Sequence, residues 1–189
     1  FTRARARTAL DLFTGTTRVA QEFKRRGGVV TAVDCARYSE VFAQCWIETS
    51  ADDVDHTALA DALAHLNALP GEPGYFTDTF CVQSRFFQPK NGARVDAIRD
   101  AIERDHLGSP LYPVLLTSLI LAADRVDSTT GVQMAYLKQW APRAHNDLEL
   151  RAPELLPGRG TAVRGDALEV APTLGSFDLA YLDPPYNQH

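Results

Sequence analysis

The chain has few residues that could form disulfide bonds or a metal site. Its 189 residues include three cysteines, an odd number without the paired spacing of zinc ligands, and five histidines without an HxxxH pattern. We therefore interpret Cys35, Cys45 and Cys81 as free thiols of a reducing compartment and expect no metal. A cytoplasmic location fits this interpretation.

Long apolar segments are also lacking. No run of about 18 apolar residues is present, which argues against a membrane span. The arginine-rich start is not followed by the apolar segment of a signal peptide. The net charge of -5 argues against a protein that coats nucleic acid indiscriminately, although a basic patch on an acidic body is compatible with it. The length fits one domain, or one domain with a modest insertion.

The tetrapeptide Asp183-Pro184-Pro185-Tyr186 follows the apolar run 179–182. The run is typical of a buried strand in a parallel sheet, and the prolines end it because they cannot donate ladder hydrogen bonds. The carboxylate of Asp183 and the carbonyl of Pro184 are then free to accept hydrogens from one NH2 group, while Tyr186 offers a stacking face. The alternative is a strand that ends in an ordinary Pro-Pro turn, and the tetrapeptide alone does not decide between the two.

The first fifty residues have the pattern of a βαβα unit. The predicted elements are a strand over 8–13, a polar turn over 14–17, a helix over 18–26, a strand over 29–33 that ends in Asp34, and a helix over 36–46. Such a unit, with right-handed crossovers, opens a doubly wound sheet.

Acidic residues and a glycine at the predicted strand ends indicate a nucleoside-containing cofactor. Gly15 lets the backbone approach a ligand, and Asp34 can accept both hydroxyls of a ribose. One glycine stands where a dinucleotide-binding fingerprint has three, so a phosphate-free cofactor such as S-adenosylmethionine fits better. Asp166 either caps the helix after it or accepts a hydrogen from a cofactor adenine. For Gly15 alone, a plain strand-to-helix turn stays the alternative.

Helical patterns replace strand patterns in the middle of the chain. Helices are predicted over 55–69, 94–104 and 113–126, with irregular aromatic stretches over 75–91 and 131–143. We interpret this region as a helical insertion. The predicted organisation is a cofactor-binding half over 8–50, the insertion over 51–152, and a return to the sheet over 153–189, which includes a short helix over 167–174.

Taken together, the motifs resemble those of adenine-specific DNA methyltransferases that carry a DPPY motif, in the class whose cofactor half precedes the recognition insertion. The residues that carry the resemblance are DLFTGTTRV over 11–19, Asp34, RGD over 164–166 and DPPY over 183–186, with 86–99 similar to the insertion of that class. The resemblance implies an α/β, Rossmann-like methyltransferase sheet with helices on both faces and a helical target-recognition insertion. It implies methyl transfer from S-adenosylmethionine to the exocyclic amine of adenine in double-stranded DNA.

The resemblance also implies roles for individual residues. Asp183 and the Pro184 carbonyl would hold the amine of a flipped adenine, with Tyr186 stacked on the base. Asp34 would hold the cofactor ribose and Asp166 its adenine. The complete sets are Asp183, Pro184, Pro185 and Tyr186 for catalysis; Asp11, Phe13, Thr14, Gly15, Thr16, Asp34 and Asp166 for the cofactor; and Arg85, Lys90, Lys138 and Arg143 for DNA.

The sequence ends three residues after the tetrapeptide, whereas the family continues with further strands. We therefore expect a fragment that lacks the C-terminal strands, with an open sheet edge for a partner chain to cover and an inactive site if the truncation is real. Two other functions stay open: a non-catalytic module that binds S-adenosylmethionine and DNA, and a methyltransferase of RNA adenine or of a protein amide. The incomplete glycine fingerprint disfavours a nicotinamide-dependent dehydrogenase.

Overall fold

A computed structural model of the chain describes residues 6–130 and 139–185. The chain folds as two compact units: a sheet unit formed by Phe1–Val54 and Glu154–His189, and a helical unit formed by Asp55–Pro153. Within the described residues, no helix combines the length and the apolar character needed to cross a membrane.

The described residues of the sheet unit form one parallel sheet of four strands. These are β1 (Thr8–Asp11), β2 (Val29–Asp34), β3 (Thr161–Arg164) and β4 (Leu179–Tyr181), in the order β3-β2-β1-β4. The α-helices among the described residues are α1 (Arg18–Arg25), α2 (Arg37–Ala43), α3 (His56–Ala68), α4 (Pro89–His106), α5 (Tyr112–Asp124) and α6 (Ala167–Val170). The predicted α/β, Rossmann-like fold class is confirmed.

Side chains of β1 alternate between the two faces of the sheet, as the pleat of a strand requires. Leu10 and Leu12 form a cluster with Val33, against which α6 and the residues after it pack. On the opposite face the Asp11 carboxylate accepts a hydrogen bond from the backbone of Ala20 in α1. Helices therefore cover both faces, as expected.

The predicted short helix over 167–174 divides into two turns. The α-helical turn is α6, and a 3-10 turn follows at Ala171–Thr173. Pro172 lies within this second turn and lacks the N–H that would continue the α-helical ladder, which explains the change of helix type.

The start of α4 differs from the prediction. The helix begins at Pro89 instead of residue 94, because a proline in the first turn has no N–H that the helix would leave unpaired. The preceding aromatic stretch is not irregular, since Thr77–Gln83 forms a π-helix. Asp96 of α4 caps the start of this π-helix. Its carboxylate accepts hydrogen bonds from the backbone N–H groups of Gly74, Phe76 and Thr77 at 2.8 Å each. This cap comes from some twenty residues away, so local sequence patterns did not reveal it.

Two buried or half-buried amides fix the extended segment that closes the helical unit. Asn67 of α3 donates to the carbonyl of Leu150 and accepts from the N–H of the same residue. Asn91 of α4 makes a similar pair of bonds earlier in the segment: it donates to the carbonyl of Asn146 and accepts from the N–H of Leu148. Side-chain amides thus replace the strand partner that this segment lacks.

Lys24 is a buried cation that ties α1 to the end of the next helix. Its Nζ atom donates to the carbonyls of Trp46, Ile47 and Thr49 at 3.1, 2.9 and 2.7 Å, where the π-helical extension of α2 ends. Carbonyls at the C-terminal end of a helix run out of backbone donors, and the lysine supplies a donor at this end. Burial lowers the pKa of Lys24 to about 8.

We expect Lys24→Met to lower the free energy of unfolding by about 2 kcal/mol, because it leaves buried carbonyls without a donor. The wild-type advantage should grow as the pH rises from about 8 toward 10.5, the ordinary pKa of a lysine side chain. In that window the unfolded lysine holds a proton that the folded one has released, so folding becomes more favourable with pH. Urea denaturation across this range checks both points. Arg25→Met, an exposed change on the same helix, is the control and should have little effect; equal losses in both variants would contradict this role of Lys24.

Candidate functional site

The order of the strands identifies one place where a ligand is expected. The chain moves from β1 to β2 and then β3 on one side, and returns to the other side of β1 as β4. In doubly wound sheets, ligands bind outside the carboxyl ends of the strands at such a switch point. A cavity of about 650 Å³ lies there, a volume within the usual range for small-molecule sites. It is lined by Leu12, Phe13, Asp34, Cys35, Gly165, Asp166, Ala167, Leu168, Asp183, Pro184 and Pro185.

Each of the four strands carries an aspartate at or just beyond its carboxyl end. Asp11 and Asp34 end β1 and β2, while Asp166 and Asp183 each follow their strand by two residues. We call these four residues the carboxylate row. Three of them line the cavity, and among its described lining residues there is no lysine or arginine. The cavity therefore favours a neutral or cationic ligand over an anionic one.

Backbone N–H groups hold the Asp34 carboxylate in place. One oxygen accepts from Gly15 at 2.8 Å and the other from Ala36 at 2.9 Å. Each carboxylate oxygen has two lone pairs, so one acceptor site per oxygen stays available for a ligand hydroxyl.

Asp11 lies at the end of the central strand and is only 1% exposed. One of its oxygens accepts from the Thr14 hydroxyl at 3.0 Å and from the Ala20 backbone at 3.2 Å. Its other oxygen, Oδ1, is buried and has no hydrogen-bond partner among the residues that the structure describes. Burial, opposed by these two hydrogen bonds and assisted by the charges of Asp34 and Asp183, raises the pKa of Asp11.

The turn after β1 adopts a backbone conformation that L residues rarely populate. Gly15 has φ 49° and Thr17 has φ 63°, both in the left-handed region. Glycine reaches this region freely, but a β-branched residue does so at a cost. Thr17 is fully buried and its N–H donates to the Thr14 carbonyl at 2.7 Å. Strain of this kind is concentrated in loops that hold ligands.

Asp166 fits both of the interpretations that its position in the sequence left open. It caps α6, with one carboxylate oxygen accepting from the N–H of Leu168 at 2.8 Å. It also lines the cavity. The capping interpretation is therefore confirmed, and the remaining carboxylate oxygen is available on the cavity side.

The DPPY tetrapeptide begins two residues after β4. Asp183, Pro184 and Pro185 are exposed and line the cavity. The Tyr181 hydroxyl lies 3.4 Å from Asp183 Oδ2, a long hydrogen bond. The charge of Asp183 raises the pKa of this tyrosine, which therefore stays a neutral donor. Tyr186 lies outside the described residues, and its stacking role stays a prediction.

The structure brings together only part of the predicted cofactor set. Phe13, Asp34 and Asp166 line the cavity, whereas four other members do not. Asp11 and Thr14 are buried beside it and bonded to each other, Gly15 donates to Asp34, and Thr16 is exposed to solvent. Asp11, Thr14 and Gly15 therefore support the cavity wall instead of forming it, and Thr16 is not part of the wall.

The predicted DNA-contacting cations already have partners within the helical unit. Lys90 pairs with Asp147 at 2.6 Å and donates to the His145 carbonyl. Arg143 forms an ion pair with Asp127. The Arg85 guanidinium lies 5.0 Å from the centre of the Trp140 ring, a cation–π contact. Lys138 lies outside the described residues.

Several cavity residues escaped the sequence analysis. Cys35 and Gly165 are adjacent in sequence to Asp34 and Asp166. This position beside acids at strand ends could have identified them as residues of the cavity. Leu168 is 83% exposed although it is apolar, and its place as the second residue of a short helix gave no such signal. Across residues 6–130 and 139–185, no group of three or more histidine, cysteine, aspartate or glutamate side chains is arranged to hold a metal ion.

Comparison with known proteins gives a consistent result. The model of the D12 class of N6 adenine-specific DNA methyltransferases matches residues 2–189. Type II methyltransferase M.NlaIII of Neisseria lactamica is 30% identical over 94% of this chain and 55% of its own length. Modification methylase StsI of Streptococcus sanguinis is 30% identical over 94% of this chain and 29% of its own length. Type II methyltransferase M.CviAII of Paramecium bursaria Chlorella virus 1 is 38% identical over 61% of this chain and 36% of its own length.

The chain thus spans about half, or less, of the length of the curated relatives that it matches. No solved structure matches it.

Proposed function

Because this chain belongs to the D12 class of N6 adenine-specific DNA methyltransferases, we propose that it transfers a methyl group from S-adenosylmethionine to N6 of adenine in double-stranded DNA. The observation that carries the proposal is the cavity at the switch point. It combines Asp34 and Asp166, the acids expected for a cofactor, with Asp183 and Pro184, the acceptors expected for an amine.

The cavity suits S-adenosylmethionine in size and charge. Its volume of about 650 Å³ accommodates a nucleoside with an amino-acid tail, and its acidic wall suits a molecule that carries a positively charged sulfur. When bound, this cofactor supplies a methyl group whose sulfur keeps the bonding electron pair as the methyl leaves. Asp34 accepts from the ribose hydroxyls, Asp166 accepts from the adenine amine, and Phe13 provides an apolar face.

Asp183 and Pro184 orient the amine of the target base. The Asp183 carboxylate and the Pro184 carbonyl accept its two hydrogens, which directs the nitrogen lone pair toward the methyl group. The nitrogen then forms its new bond and releases one proton, for which Asp183 is the nearest proposed acceptor. Tyr181 donates to Asp183 and thereby fixes its orientation. The reaction requires no protein nucleophile, so the three cysteines need no catalytic role.

The adenine must leave the duplex to reach this site, which costs a few kcal/mol of unstacking. Contacts of cations with the DNA phosphates offset such a cost. Arg85, Lys90, Lys138 and Arg143 of the helical unit are the candidates. The described three would serve from fixed positions, because each is already oriented by a partner within its own unit.

The experiment is a mass-spectrometric analysis of nucleosides from DNA incubated with the chain and a donor that carries a trideuterated methyl group. We expect the label in N6-methyldeoxyadenosine. Label in N4-methylcytosine or 5-methylcytosine would contradict the proposal. Transfer to RNA or protein, with none to duplex DNA, would support the methyltransferase with a different acceptor. Binding of donor and DNA without transfer would support a non-catalytic module.

A further inference from the structure

The carboxylate row carries more negative charge than is needed to accept hydrogen bonds from a cofactor. Strand β1 pairs with β2 on one side and β4 on the other, which places Asp11 between Asp34 and Asp183. Among the described residues, the Asp34 carboxylate accepts hydrogen bonds from two backbone N–H groups and the Asp183 carboxylate accepts one long bond from the Tyr181 hydroxyl, and none of these donors carries a charge. None of the described residues that line the cavity carries a positive side chain.

Asp11 is the member of the row whose presence is hardest to explain by folding. Its Oδ2 atom fastens the Thr14 turn to α1, and a serine or asparagine oxygen would serve as well. Its Oδ1 atom is buried and has no hydrogen-bond partner within residues 6–130 and 139–185, and a buried unpaired carboxylate oxygen is costly. A cationic group in the adjoining cavity would compensate this charge.

We propose that Asp11 is a specificity-determining residue that makes the cavity prefer a positively charged sulfonium ligand to its neutral thioether counterpart. This inference rests on the proposed function, since it assumes S-adenosylmethionine as the donor. S-adenosylmethionine carries the sulfonium, and S-adenosylhomocysteine, the product left after transfer, has a neutral sulfur with otherwise the same groups. Asp11 acts through charge across the cavity wall, so it need not touch the ligand.

The consequence for turnover is a difference in affinity between donor and product. A unit charge roughly 10 Å away, at an effective dielectric constant of about 35, between the values for a protein surface and for water, changes an affinity by a factor of about five. The carboxylate row would attract the positively charged donor. It would not attract the product, whose sulfur is neutral. Exchange of product for fresh donor follows from this difference.

The test is calorimetric titration of the chain with S-adenosylmethionine and, separately, with S-adenosylhomocysteine at pH 8. The measured quantity is the ratio of the two dissociation constants. In Asp11→Asn we expect this preference for the sulfonium to fall about fivefold, with the affinity for the thioether nearly unchanged. An analogue with an ammonium group in place of the sulfonium should lose affinity in Asp11→Asn to the same extent as S-adenosylmethionine.

Two variants separate charge from shape. Thr14→Val breaks the hydrogen bond to Asp11 and keeps the charge, so it should weaken both ligands equally and leave the ratio unchanged. Asp53→Asn removes an equal charge from a surface ion pair with Arg159 in the same unit and should change neither affinity. If Asp11→Asn does not fold, Asp183→Asn removes an exposed member of the row and should lower the ratio about twofold.

The outcomes distinguish this inference from the proposed function. A wild-type chain that binds both ligands, with the same ratio in Asp11→Asn, overturns the role of Asp11 and leaves the proposed function standing. Equal losses for both ligands in Asp11→Asn, matched by Thr14→Val, assign Asp11 to the shape of the turn and overturn the inference as well. A wild-type chain that binds neither ligand overturns both.

Discussion

Asp183→Ala lowers the rate of methyl transfer to adenine by about a thousandfold, within the range for losing a group that accepts a proton or holds developing charge. The affinity for S-adenosylmethionine stays within a few-fold of wild type. The reason is the position of Asp183 two residues beyond β4, on the cavity wall but without a hydrogen bond to the residues that hold Asp34 and Asp166. Single-turnover methylation of a duplex and calorimetric titration of the donor measure the two effects separately.

Asp183→Asn refines this expectation. The amide keeps one acceptor oxygen for the target amine but cannot accept the proton or balance charge on the nitrogen. Its rate should therefore lie closer to that of Asp183→Ala than to wild type. Asp53→Ala, which removes a surface carboxylate of the same unit, is the matched control and should be fully active. Full activity in Asp183→Ala would refute the assignment of the target amine to this residue.

Gly160→Ala lowers the free energy of unfolding by about 3 kcal/mol, the upper range for overpacking a closed site. Gly160 directly precedes β3, and a Cβ atom there would clash with the Val30 carbonyl oxygen and lie 2.6 Å from Ile47 Cγ2. Val30 belongs to β2, whose backbone cannot yield without disturbing the sheet. Because Asp166 follows β3, the donor affinity should fall together with the stability. Thermal denaturation and donor titration of the variant check both effects.

Gly175→Ala is the matched control for this substitution. It lies in the same unit, no heavy atom lies within 4 Å of its added Cβ, and its φ is outside the left-handed region. Its stability should equal or slightly exceed that of the wild type, because alanine restricts the unfolded chain more than glycine does. If Gly160→Ala were as stable as Gly175→Ala, the close approach of the chain before β3 to β2 would not be needed for the stability of the fold.

The elements that carry the site were predictable because their signals are local. A β-branched run that ends in an aspartate occurs at Val29–Asp34, and an apolar run that ends in Asp183 and two prolines occurs at the end of the chain. Such patterns specify both a strand and the residue at its carboxyl end. Because parallel strands expose these ends at one edge, the meeting of Asp34, Asp166 and Asp183 follows from the strand positions.

The remaining features depend on partners that are distant in sequence. The π-helix before α4 depends on the Asp96 carboxylate, which accepts from backbone N–H groups some twenty residues earlier in the chain. Lys24 was assigned to a helix by pattern, but its burial is due to the carbonyls of residues 46, 47 and 49. The supporting position of Asp11 and Thr14 beside the cavity depends on the path of α1. No local pattern contains these contacts.

Titration of the chain with S-adenosylmethionine, beside NAD at the same concentrations, tests the central claim most directly. The claim is that the cavity at the carboxyl edge of the sheet, with its carboxylate row, is a site for a phosphate-free cationic cofactor. Saturable binding of one S-adenosylmethionine per chain, with no heat from NAD, is the result that this account predicts. Binding of NAD, with none of S-adenosylmethionine, would contradict it.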